Sequence, residues 1–512
     1  MDRTDSRHPS DPAAPYPGPS AIPSSLHGSL MVCGTTSDSG KTTVVAGLCR
    51  LLARAGVRVA PFKAQNMALN SAVTPSGHEI GRAQYLQAQA AGVEPEVAMN
   101  PVLLKPTGER ESQVVVLGKP YATMSAREYH AAKPDLFAMV LEALDDLRSR
   151  FDVVLVEGAG SPAEINLLAN DIVNLRLAEA AGLPAIVVGD IDPGGVFASL
   201  YGTVGVLPDN LAACIKAFVI NKLRGDPALL LDGTDQLEAL TGIPTLGVIP
   251  MLESLRLDAE DSLALDRLPE SDASASLDVA VIRLPRISNF TDVDALALEG
   301  DVDVRFVRSA RELGVPDLVV IPGSKATVDD LRWMRERGFD RAIAALPDTT
   351  TVLGICGGYQ MLGRHIDDDV ESRAGAVDGL GALGVTTTFD HDKVLACRHG
   401  VALGHPVVGY QIHHGRVRPV AASTDEPWLV LDGETEGVRN GPIFGTTLHG
   451  LFDEDEFRHA FLRDVAERSA SSFTPGSVTP TAHRDAELDR LADHLAASLD
   501  LSALSQLIDQ GR

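Results

Sequence analysis

The chain has 512 residues, 45% hydrophobic and only 4% aromatic, which allows two or three domains with largely aliphatic cores. Its formal net charge of -26 argues against a nucleic-acid partner and against an anionic membrane surface, since both favour a basic face. Five sparse cysteines form no CxxC pair, and no apolar run reaches the ~18 residues of a membrane span, so we expect a cytosolic protein without disulfides or a zinc site.

The chain reads as two α/β domains between less ordered ends. Residues 1–27 are rich in Pro, Ser and Asp, show no signal-peptide pattern, and are predicted to be a disordered tail. Short apolar runs then alternate with helical stretches, which is typical of doubly wound domains around buried parallel sheets. We place a first α/β domain at 28–262, a polar linker at 263–277, a second α/β domain at 278–460 and a C-terminal helical segment at 461–512.

The first strand, LMVCG, runs into a phosphate-binding loop, GTTSDSGKTT, and then a helix. Backbone N–H groups of such a loop cradle phosphates, with Lys41 reaching the outer phosphates and Thr42 binding Mg²⁺. The standard pattern would place glycine at Thr35, but here it stands one residue earlier. The alternative is an ordinary Gly-Ser loop that caps a helix. The residues predicted to bind ATP are Gly34, Thr35, Asp38, Ser39, Gly40, Lys41, Thr42 and Thr43.

Two further residues are predicted to complete the ATP site. Lys63 follows the second strand and could neutralise a transferring phosphoryl group, although a solvated lysine is the alternative. Glu157 ends the strand VVLVE and is predicted to hold Mg²⁺ together with Thr42, although it could instead cap the next helix. Glu164 and Asn166 are weaker candidates of the same kind.

Polar residues also follow the next two strands, where ligands bind in open α/β sheets. At these positions a helix cap or a turn explains the residues as well as ligand binding does. The residues are Asp190, Asp192, Asn221, Lys222, Arg224 and Asp226.

In the second domain, TTVLGICGGYQMLG is an apolar strand, a G-x-C-x-G turn and a helix, the cysteine form of a nucleophile elbow. The turn lifts Cys356 clear of the sheet, while Gly354 and Gly358 allow close packing beside it. The helix N-terminus stabilises a thiolate, and the Gly357 N–H can face a developing oxyanion.

A cysteine nucleophile needs a base, and His449 in GTTLHGLF is our candidate. The second oxyanion donor is predicted in the loop that contains Gly323 and Ser324. His413 and His414 compete with His449, but their strand-like setting favours a structural or substrate-side role. The four remaining cysteines, which lack such a setting, are interpreted as packing residues: Cys33, Cys49, Cys214 and Cys397.

These motifs carry a family resemblance. The second half resembles the class I glutamine amidotransferase domain, and the first half resembles dethiobiotin synthetase, with its offset glycine and GKT ending. The two halves in this order resemble the cobyric acid synthase family over about residues 30–455. The motifs are GTTSDSGKT, PFKAQNMALNS, EIGRAQ, MNPVLLKP, VEGAGSPAEINL, GDIDPGGVFASLYGT, FVINKLRGD, PGSKATVDDL, GICGGYQMLG and GTTLHGLF.

The resemblance implies a mechanism and its ligands. ATP with Mg²⁺ would activate a carboxylate of a corrin as an acyl phosphate, and ammonia released from glutamine at Cys356 would displace the phosphate. Family members amidate the b, d, e and g side chains of adenosylcobyrinic acid a,c-diamide. Motif position suggests Asn66, Arg82 and Lys105 as corrin-binding residues.

The chain departs from the family pattern at two positions. Class I enzymes usually carry glutamate two residues after the histidine, where this chain has Leu451. We therefore expect a Cys–His dyad, or a ring oriented by Asp453 or by a residue elsewhere. Gln411 stands where relatives often have glutamate. The rival functions are cobyrinic acid a,c-diamide synthase and, in a different class, a nucleotide-switched binding protein with an inactive amidotransferase scaffold.

Overall fold

The computed structural model describes residues 22–107, 111–253, 255–257, 275–421 and 423–512. Most of the predicted tail and positions 263–274 of the predicted linker lie outside these residues. The chain divides into two compact units, neither continuous in sequence. The first unit comprises Met1–Ala60, Arg148–Leu255 and Leu488–Arg512, and the second comprises Pro61–Leu147 and Arg256–Glu487. The predicted domains were continuous, so the segment 61–147 is grouped differently from the sequence-based boundary.

The strands of the described residues, numbered in chain order, are β1 (Gly28–Gly34), β2 (Val59–Phe62), β3 (Gln65–Met67), β4 (Ser71–Val73), β5 (Glu79–Gly81), β6 (Val102–Pro106), β7 (Glu111–Val116), β8 (Lys119–Ser125), β9 (Val153–Glu157), β10 (Ala185–Asp190), β11 (Ile215–Leu223), β12 (Thr245–Pro250), β13 (Leu277–Ile282), β14 (Ile287–Ser288), β15 (Val302–Val307), β16 (Leu318–Ile321), β17 (Gly323–Ser324), β18 (Thr351–Ile355), β19 (His365–Asp368), β20 (Gly375–Asp378), β21 (Val385–Ala402), β22 (His405–Pro419), β23 (Glu426–Leu431), β24 (Glu434–Asn440) and β25 (Ile443–Thr446).

The α-helices are α1 (Lys41–Arg54), α2 (Arg82–Ala90), α3 (Ala126–Arg150), α4 (Leu175–Ala181), α5 (Val196–Gly205), α6 (Asp209–Ala212), α7 (Leu231–Thr241), α8 (Ala310–Leu313), α9 (Thr327–Glu336), α10 (Phe339–Ala344), α11 (Gly357–Leu362), α12 (Asp455–Ser469), α13 (Pro480–Ser498) and α14 (Leu501–Gln510).

The sheet of the first unit has the strand order β12-β11-β10-β1-β9-β2. β1 pairs in parallel with both β9 and β10, and Met31 lies opposite Val156 on one side and Ala185 on the other. The strands are almost wholly buried because helices cover the sheet, which explains their unbroken apolar runs. Their carboxyl ends carry the predicted phosphate loop and Glu157.

The sheet of the second unit begins with a parallel series, β15-β13-β16-β18-β25. β24, β23, β21 and β22 extend it with antiparallel pairing, and β19 and β20 complete it. The predicted α/β class is confirmed, although this sheet is mixed rather than purely parallel. The ends of β16, β18 and β25 bring Ser324, Cys356 and His449 to one edge.

The second unit also contains a long hairpin, β21 with β22, and two small sheets from the segment 61–147. One small sheet has the order β3-β6-β7-β8, and the other pairs β4 with β5. The hairpin contacts the site edge directly, because Tyr410 in β22 forms an isolated antiparallel bridge with His449.

In the part of the chain that the structure describes, no helix is both long enough and apolar enough to cross a lipid bilayer.

Candidate active site

The phosphate loop between β1 and α1 has the backbone geometry that its sequence predicts. Gly40 precedes the helix in the left-handed region at φ 91°, and a Cβ built there would lie 2.3 Å from Asn221 Nδ2. A Cβ on Gly34 would lie 2.1 Å from Ser39 Oγ and 3.0 Å from the Lys41 side chain. The offset glycine is therefore explained, since only glycine at 34 leaves room for the side chains that close the loop.

Thr42 lies beside Glu157, its predicted partner in holding Mg²⁺, whereas the contact of Lys41 with the outer phosphates stays a prediction. The Lys41 ammonium is held by the carbonyl oxygens of Thr36 (2.7 Å), Ser37 (3.2 Å) and Gly160 (3.1 Å). The Thr42 hydroxyl donates to Glu157 Oε1 at 2.7 Å, and Glu157 is fully buried at the end of β9. A hydroxyl and a carboxylate side by side at a phosphate loop are oxygen ligands of the kind that Mg²⁺ prefers.

Asn174 holds the turn that positions Glu157. Its Nδ2 donates to the Ala159 carbonyl at 2.8 Å, and its Oδ1 accepts from the Ala159 N–H at 3.1 Å. A Cβ on Gly158 would lie 2.3 Å from Asn174 Oδ1. The sequence analysis did not single out Asn174, because asparagine before a helix is ordinarily interpreted as a cap.

The polar residues after β10 and β11 brace the loop from the same sheet edge. Asn221 Nδ2 donates to the Ser39 carbonyl at 2.9 Å, and Lys222 Nζ lies 2.7 Å from Asp190 Oδ2. Lys222 has a positive φ of 63°, which directs its side chain back toward the loop.

The remaining predicted residues of the synthetase reaction belong to the segment 61–147. Lys63 is buried, and its N–H donates to the Met99 carbonyl at 2.8 Å. Asn66 Nδ2 donates to Gln84 at 3.0 Å, and the Arg82 guanidinium lies 5.5 Å from the centre of the Tyr85 ring. The catalytic role of Lys63 and the corrin contacts of Asn66 and Arg82 stay predictions.

Lys105 is buried among charged groups, and its predicted contact with the corrin stays a prediction. Its Nζ donates to Glu79 Oε1 at 2.6 Å and to Ser71 Oγ at 2.8 Å, and Lys393 lies 2.5 Å from the other Glu79 oxygen. Burial favours the neutral form of Glu79, but the two lysines outweigh it and hold its pKa well below the usual range. Lys105 is thus a member of a buried charge cluster beside Cys356.

Cys356 stands at a strained turn between β18 and α11. Its φ of 51° and ψ of -106° are rare for a residue with a side chain, as a nucleophile elbow requires. A Cβ on Gly358 would lie 1.9 Å from the Ile321 carbonyl, and one on Gly354 would lie 2.7 Å from the Tyr359 nitrogen. The glycines therefore let α11 pack directly on β16 and β18, which places its N-terminus at the thiol.

His449 is oriented by a carboxylate that the sequence analysis did not find. Its Nδ1 lies 2.7 Å from Asp292 Oδ2, and the other oxygen of Asp292 accepts the Gly450 N–H at 2.9 Å. Burial opposes the imidazolium, but the charges of Asp292 and Cys356 outweigh it and raise the pKa of His449 to about 10. Of the alternatives that the sequence left open, a dyad, Asp453 or a residue elsewhere, the structure has the third, and Asp292 completes a triad with His449 and Cys356.

Asp292 escaped sequence reasoning because it is 157 residues from His449 and follows no spacing rule. It lies in the 3-10 turn Phe290–Val293, which begins after Asn289 in a left-handed conformation. The usable signal was topological: the segment follows β13 at the same sheet edge as Cys356.

Neighbouring groups hold the turn and the imidazole in place. Asn289 Nδ2 donates to the Tyr410 hydroxyl at 3.1 Å, and the Asn289 N–H donates to Asn70 Oδ1 at 2.8 Å. The Tyr410 ring stacks on His449 with centroids 5.3 Å apart. The imidazole is thereby fixed by packing as well as by its ion pair.

The predicted oxyanion donors meet beside the elbow. A Cβ on Gly357 would lie 2.8 Å from the Ser324 nitrogen, so the two backbones approach closely. The Ser324 hydroxyl is already engaged, since it donates to Asp330 Oδ2 at 2.6 Å and accepts the Ala326 N–H at 2.9 Å. Any oxyanion contact from Ser324 would therefore come from its N–H.

Gln411 belongs to a network below the histidine loop. Its Nε2 donates to Thr447 Oγ1 at 2.6 Å, and Arg398 Nε donates to its Oε1 at 2.9 Å. Glu436 accepts hydrogen bonds from Thr446 and Thr447, and burial raises its pKa. The carboxylate of this network is therefore that of Glu436, since position 411 is a glutamine.

The other four cysteines are unsuited to nucleophilic attack. Burial raises the pKa of each thiol, most strongly at Cys33 and Cys49, and a thiol that stays protonated is a poor nucleophile.

Cys356 and His449 share a cavity with residues from β17, β21 and β22. Three lysines line the cavity, but Lys105 and Lys393 pair with Glu79 and Lys325 pairs with Glu371, so charges of both signs surround it, which suits a zwitterionic ligand. Its lining residues are Lys105, Ser288, Asn289, Ser324, Lys325, Thr327, Cys356, Gln360, Glu371, Phe389, Lys393, Ile412, His413, His414 and His449.

Two protein-family models match the chain. Residues 30–264 match the CobQ/CobB/MinD/ParA nucleotide binding domain, and residues 278–457 match the CobB/CobQ-like glutamine amidotransferase domain. The two predicted chemistries are therefore confirmed at the level of domain family, in the predicted order.

Curated relatives match over nearly the whole chain. A cobyric acid synthase of Frankia casuarinae is 52% identical over 95% of this chain and 98% of its own. Those of Rhodococcus jostii (54% identical, 94% of this chain, 96% of that protein) and Streptomyces coelicolor (52%, 95%, 97%) are similarly close.

Proposed function

The chain belongs to the cobyric acid synthase family, and from that premise we propose that it uses ATP and glutamine to convert carboxylates of a corrin into amides. The observation that carries the proposal is the elbow cysteine Cys356, whose partner His449 is oriented by Asp292. An inactive scaffold would not need a strained nucleophile with an ion-paired histidine.

At the glutaminase site, the Cys356 thiolate attacks the carboxamide carbon of glutamine. The oxyanion forms against the N–H groups of Gly357 and Ser324. His449 gives its Nε2 proton to the leaving nitrogen, so that the C–N bond breaks and ammonia and a γ-glutamyl thioester result. Water then hydrolyses the thioester with His449 as base, and Asp292 keeps the ring in the required tautomer.

At the synthetase site, the phosphate loop binds ATP, and a carboxylate oxygen of the corrin attacks the γ-phosphorus, so that the bond to the bridging oxygen breaks and ADP leaves. Thr42 and Glu157 would hold Mg²⁺, which neutralises charge on the phosphates. The product is an acyl phosphate, from which ammonia displaces inorganic phosphate. A carboxylate becomes reactive toward ammonia only after its oxygen is made a good leaving group.

We infer the carboxylic acid substrate from the curated relatives. We propose the b, d, e and g carboxylates of adenosylcobyrinic acid a,c-diamide as the substrates. The rival, cobyrinic acid a,c-diamide synthase, would consume cobyrinic acid itself. Incubating the protein with each acid, ATP and glutamine, and following the mass of the corrin, discriminates the two.

Replacing Cys356 with Ser tests the division of labour. The variant should release no glutamate from glutamine but should still amidate the corrin when ammonium is supplied, because the chemistry of the acyl phosphate does not need the thiol. Loss of both activities in a folded variant contradicts two separate reactions. A wild-type protein that releases no glutamate with ATP and corrin present contradicts the enzyme proposal itself.

A further inference from the structure

His413, on the hairpin strand β22, lines the cavity that contains Cys356 and His449. Its Nδ1 lies 2.8 Å from the Gly415 carbonyl oxygen, which can only accept, so Nδ1 carries a proton. Burial lowers the pKa of His413 to about 3, against the opposing effect of that hydrogen bond, and the nearby His449 lowers it further. The ring is therefore neutral, and its Nε2 is an acceptor with no proton of its own.

That acceptor has no partner among the described residues, although Nε2 is buried. A buried acceptor without a hydrogen bond is costly, so such an atom in a substrate cavity marks a place where a ligand donor fits. The adjacent His414 differs, since Nδ1 lies 3.0 Å from the Asp390 carbonyl and Nε2 lies 3.3 Å from Gln113 Nε2.

The two histidines have different electrostatic neighbours. His449 contributes to lowering the pKa of His413, whereas Lys325 and Glu371, which form an ion pair, act on the pKa of His414. Lys325 and Glu371 carry the charges that complement the carboxylate and ammonium of an amino acid. His413 shares one cavity with Cys356 and His449, which places it among the residues that a ligand bound at the thiol would meet.

We propose that His413 Nε2 accepts a hydrogen bond from the side-chain NH₂ group of bound glutamine, and that this contact makes the site specific for the amide over the carboxylate. The proposal rests on the glutaminase activity proposed above. Glutamine presents two N–H donors at this point, whereas the carboxylate of glutamate presents only acceptors. Nε2 would repel the glutamate oxygen, which favours release of the product.

Comparing an amide with an ester tests the proposal in the full-length protein. Glutamine and glutamate γ-methyl ester are both hydrolysed to glutamate, but only glutamine offers an N–H to Nε2. His413→Leu should lower kcat/KM for glutamine by about 10- to 100-fold and leave the ester nearly unaffected. It should also tighten inhibition by glutamate. His413→Asn, which restores an acceptor oxygen, should recover part of the preference for the amide.

His414→Asn is the matched control on the same strand, and it should change both substrates by the same factor. Equal losses for amide and ester in both folded His413 variants, with unchanged inhibition by glutamate, overturn the proposal. If His413→Leu does not fold, the proposal is decided by His413→Asn, from the ratio of its kcat/KM for glutamine to its kcat/KM for the ester. A wild type that hydrolyses glutamine but amidates no corrin overturns the proposed function and leaves this inference standing, so the two failures are distinguishable.

Discussion

At the level of single residues, the orientation of the His449 ring depends on Asp292. The chain has no acid two residues after His449, where Leu451 is fully buried, and Asp292 supplies the carboxylate instead. Both of its oxygens are used, one by the ring and one by the Gly450 N–H, so the carboxylate is fixed in direction. The orienting acid thus comes from a turn that is distant in sequence, whereas class I enzymes usually carry it two residues after the histidine.

Asp292→Asn should lower the rate of glutamine hydrolysis by roughly 10²-fold or more, because the neutral amide neither fixes the ring tautomer nor stabilises the imidazolium. Asp453→Asn is the control, since Asp453 was the sequence-based candidate for the same role. Glutamate release under saturating glutamine measures both variants. Equal loss in the two would argue that neither acid is specific to His449.

The same substitution carries a pH signature. The pKa of His449 is raised to about 10 from 6.5, so its ion pair stabilises the folded state fully below about pH 6.5 and the stabilisation is lost as pH rises through about 10. Removing the charge of Asp292 should therefore lower the midpoint of thermal unfolding more at about pH 6 than above about pH 10. An equal decrease at both pH values would contradict the ion pair.

At the scale of elements, the elbow depends on how closely α11 packs on the strands beneath it. The strain at Cys356 persists because β18 and α11 are both held by that packing. Gly358 is the closest approach, with the Ile321 carbonyl at 1.9 Å from a built Cβ.

Gly358→Ala should destabilise the protein by about 1–3 kcal/mol and abolish glutaminase activity, since the added methyl would push the helix away from β16. Gly300→Ala is the matched control, because a Cβ there meets no atom within 4 Å. Its effect should stay within about 0.5 kcal/mol. Thermal unfolding with a glutaminase assay checks both, and a stable, active Gly358→Ala would show that the helix can shift without cost.

At the level of the whole molecule, the nucleotide-binding groups and the glutaminase groups fall in different compact units, although Lys63, Asn66 and Arg82 group with the second unit. The phosphate loop and Glu157 belong to the first unit, and Cys356, His449 and Asp292 belong to the second. Each site is therefore expected to respond separately to substitution.

Glu157→Gln should abolish amide formation with either glutamine or ammonium as the nitrogen source, because it removes the proposed Mg²⁺ ligand beside Thr42. Cys356→Ser, by contrast, loses only the glutamine-dependent reaction. Glu164→Gln, at an exposed acid of the same turn region, is the control and should change little. Amide formation by Glu157→Gln at the wild-type rate would remove Glu157 from the site.

The residue pattern predicted those features whose residues lie close together in the sequence. The phosphate loop, the elbow and the apolar strands are short continuous segments, and glycine at positive φ or in tight packing leaves a direct mark on the residue pattern. The loop, Thr42 beside Glu157, and Cys356 with His449 at one sheet edge all follow from such segments.

Other features depend on residues that meet only through the fold. Asp292 reaches His449 because β13 and β25 end at the same edge, and Lys105 enters the Cys356 cavity because the segment 61–147 groups with the second unit. Hydrogen-bond partners hundreds of residues apart leave no periodic signal. Residue patterns alone therefore predicted the two chemistries and their candidate groups, whereas the acid that orients His449 and the unpartnered acceptor of His413 depend on strands that meet only in the folded chain.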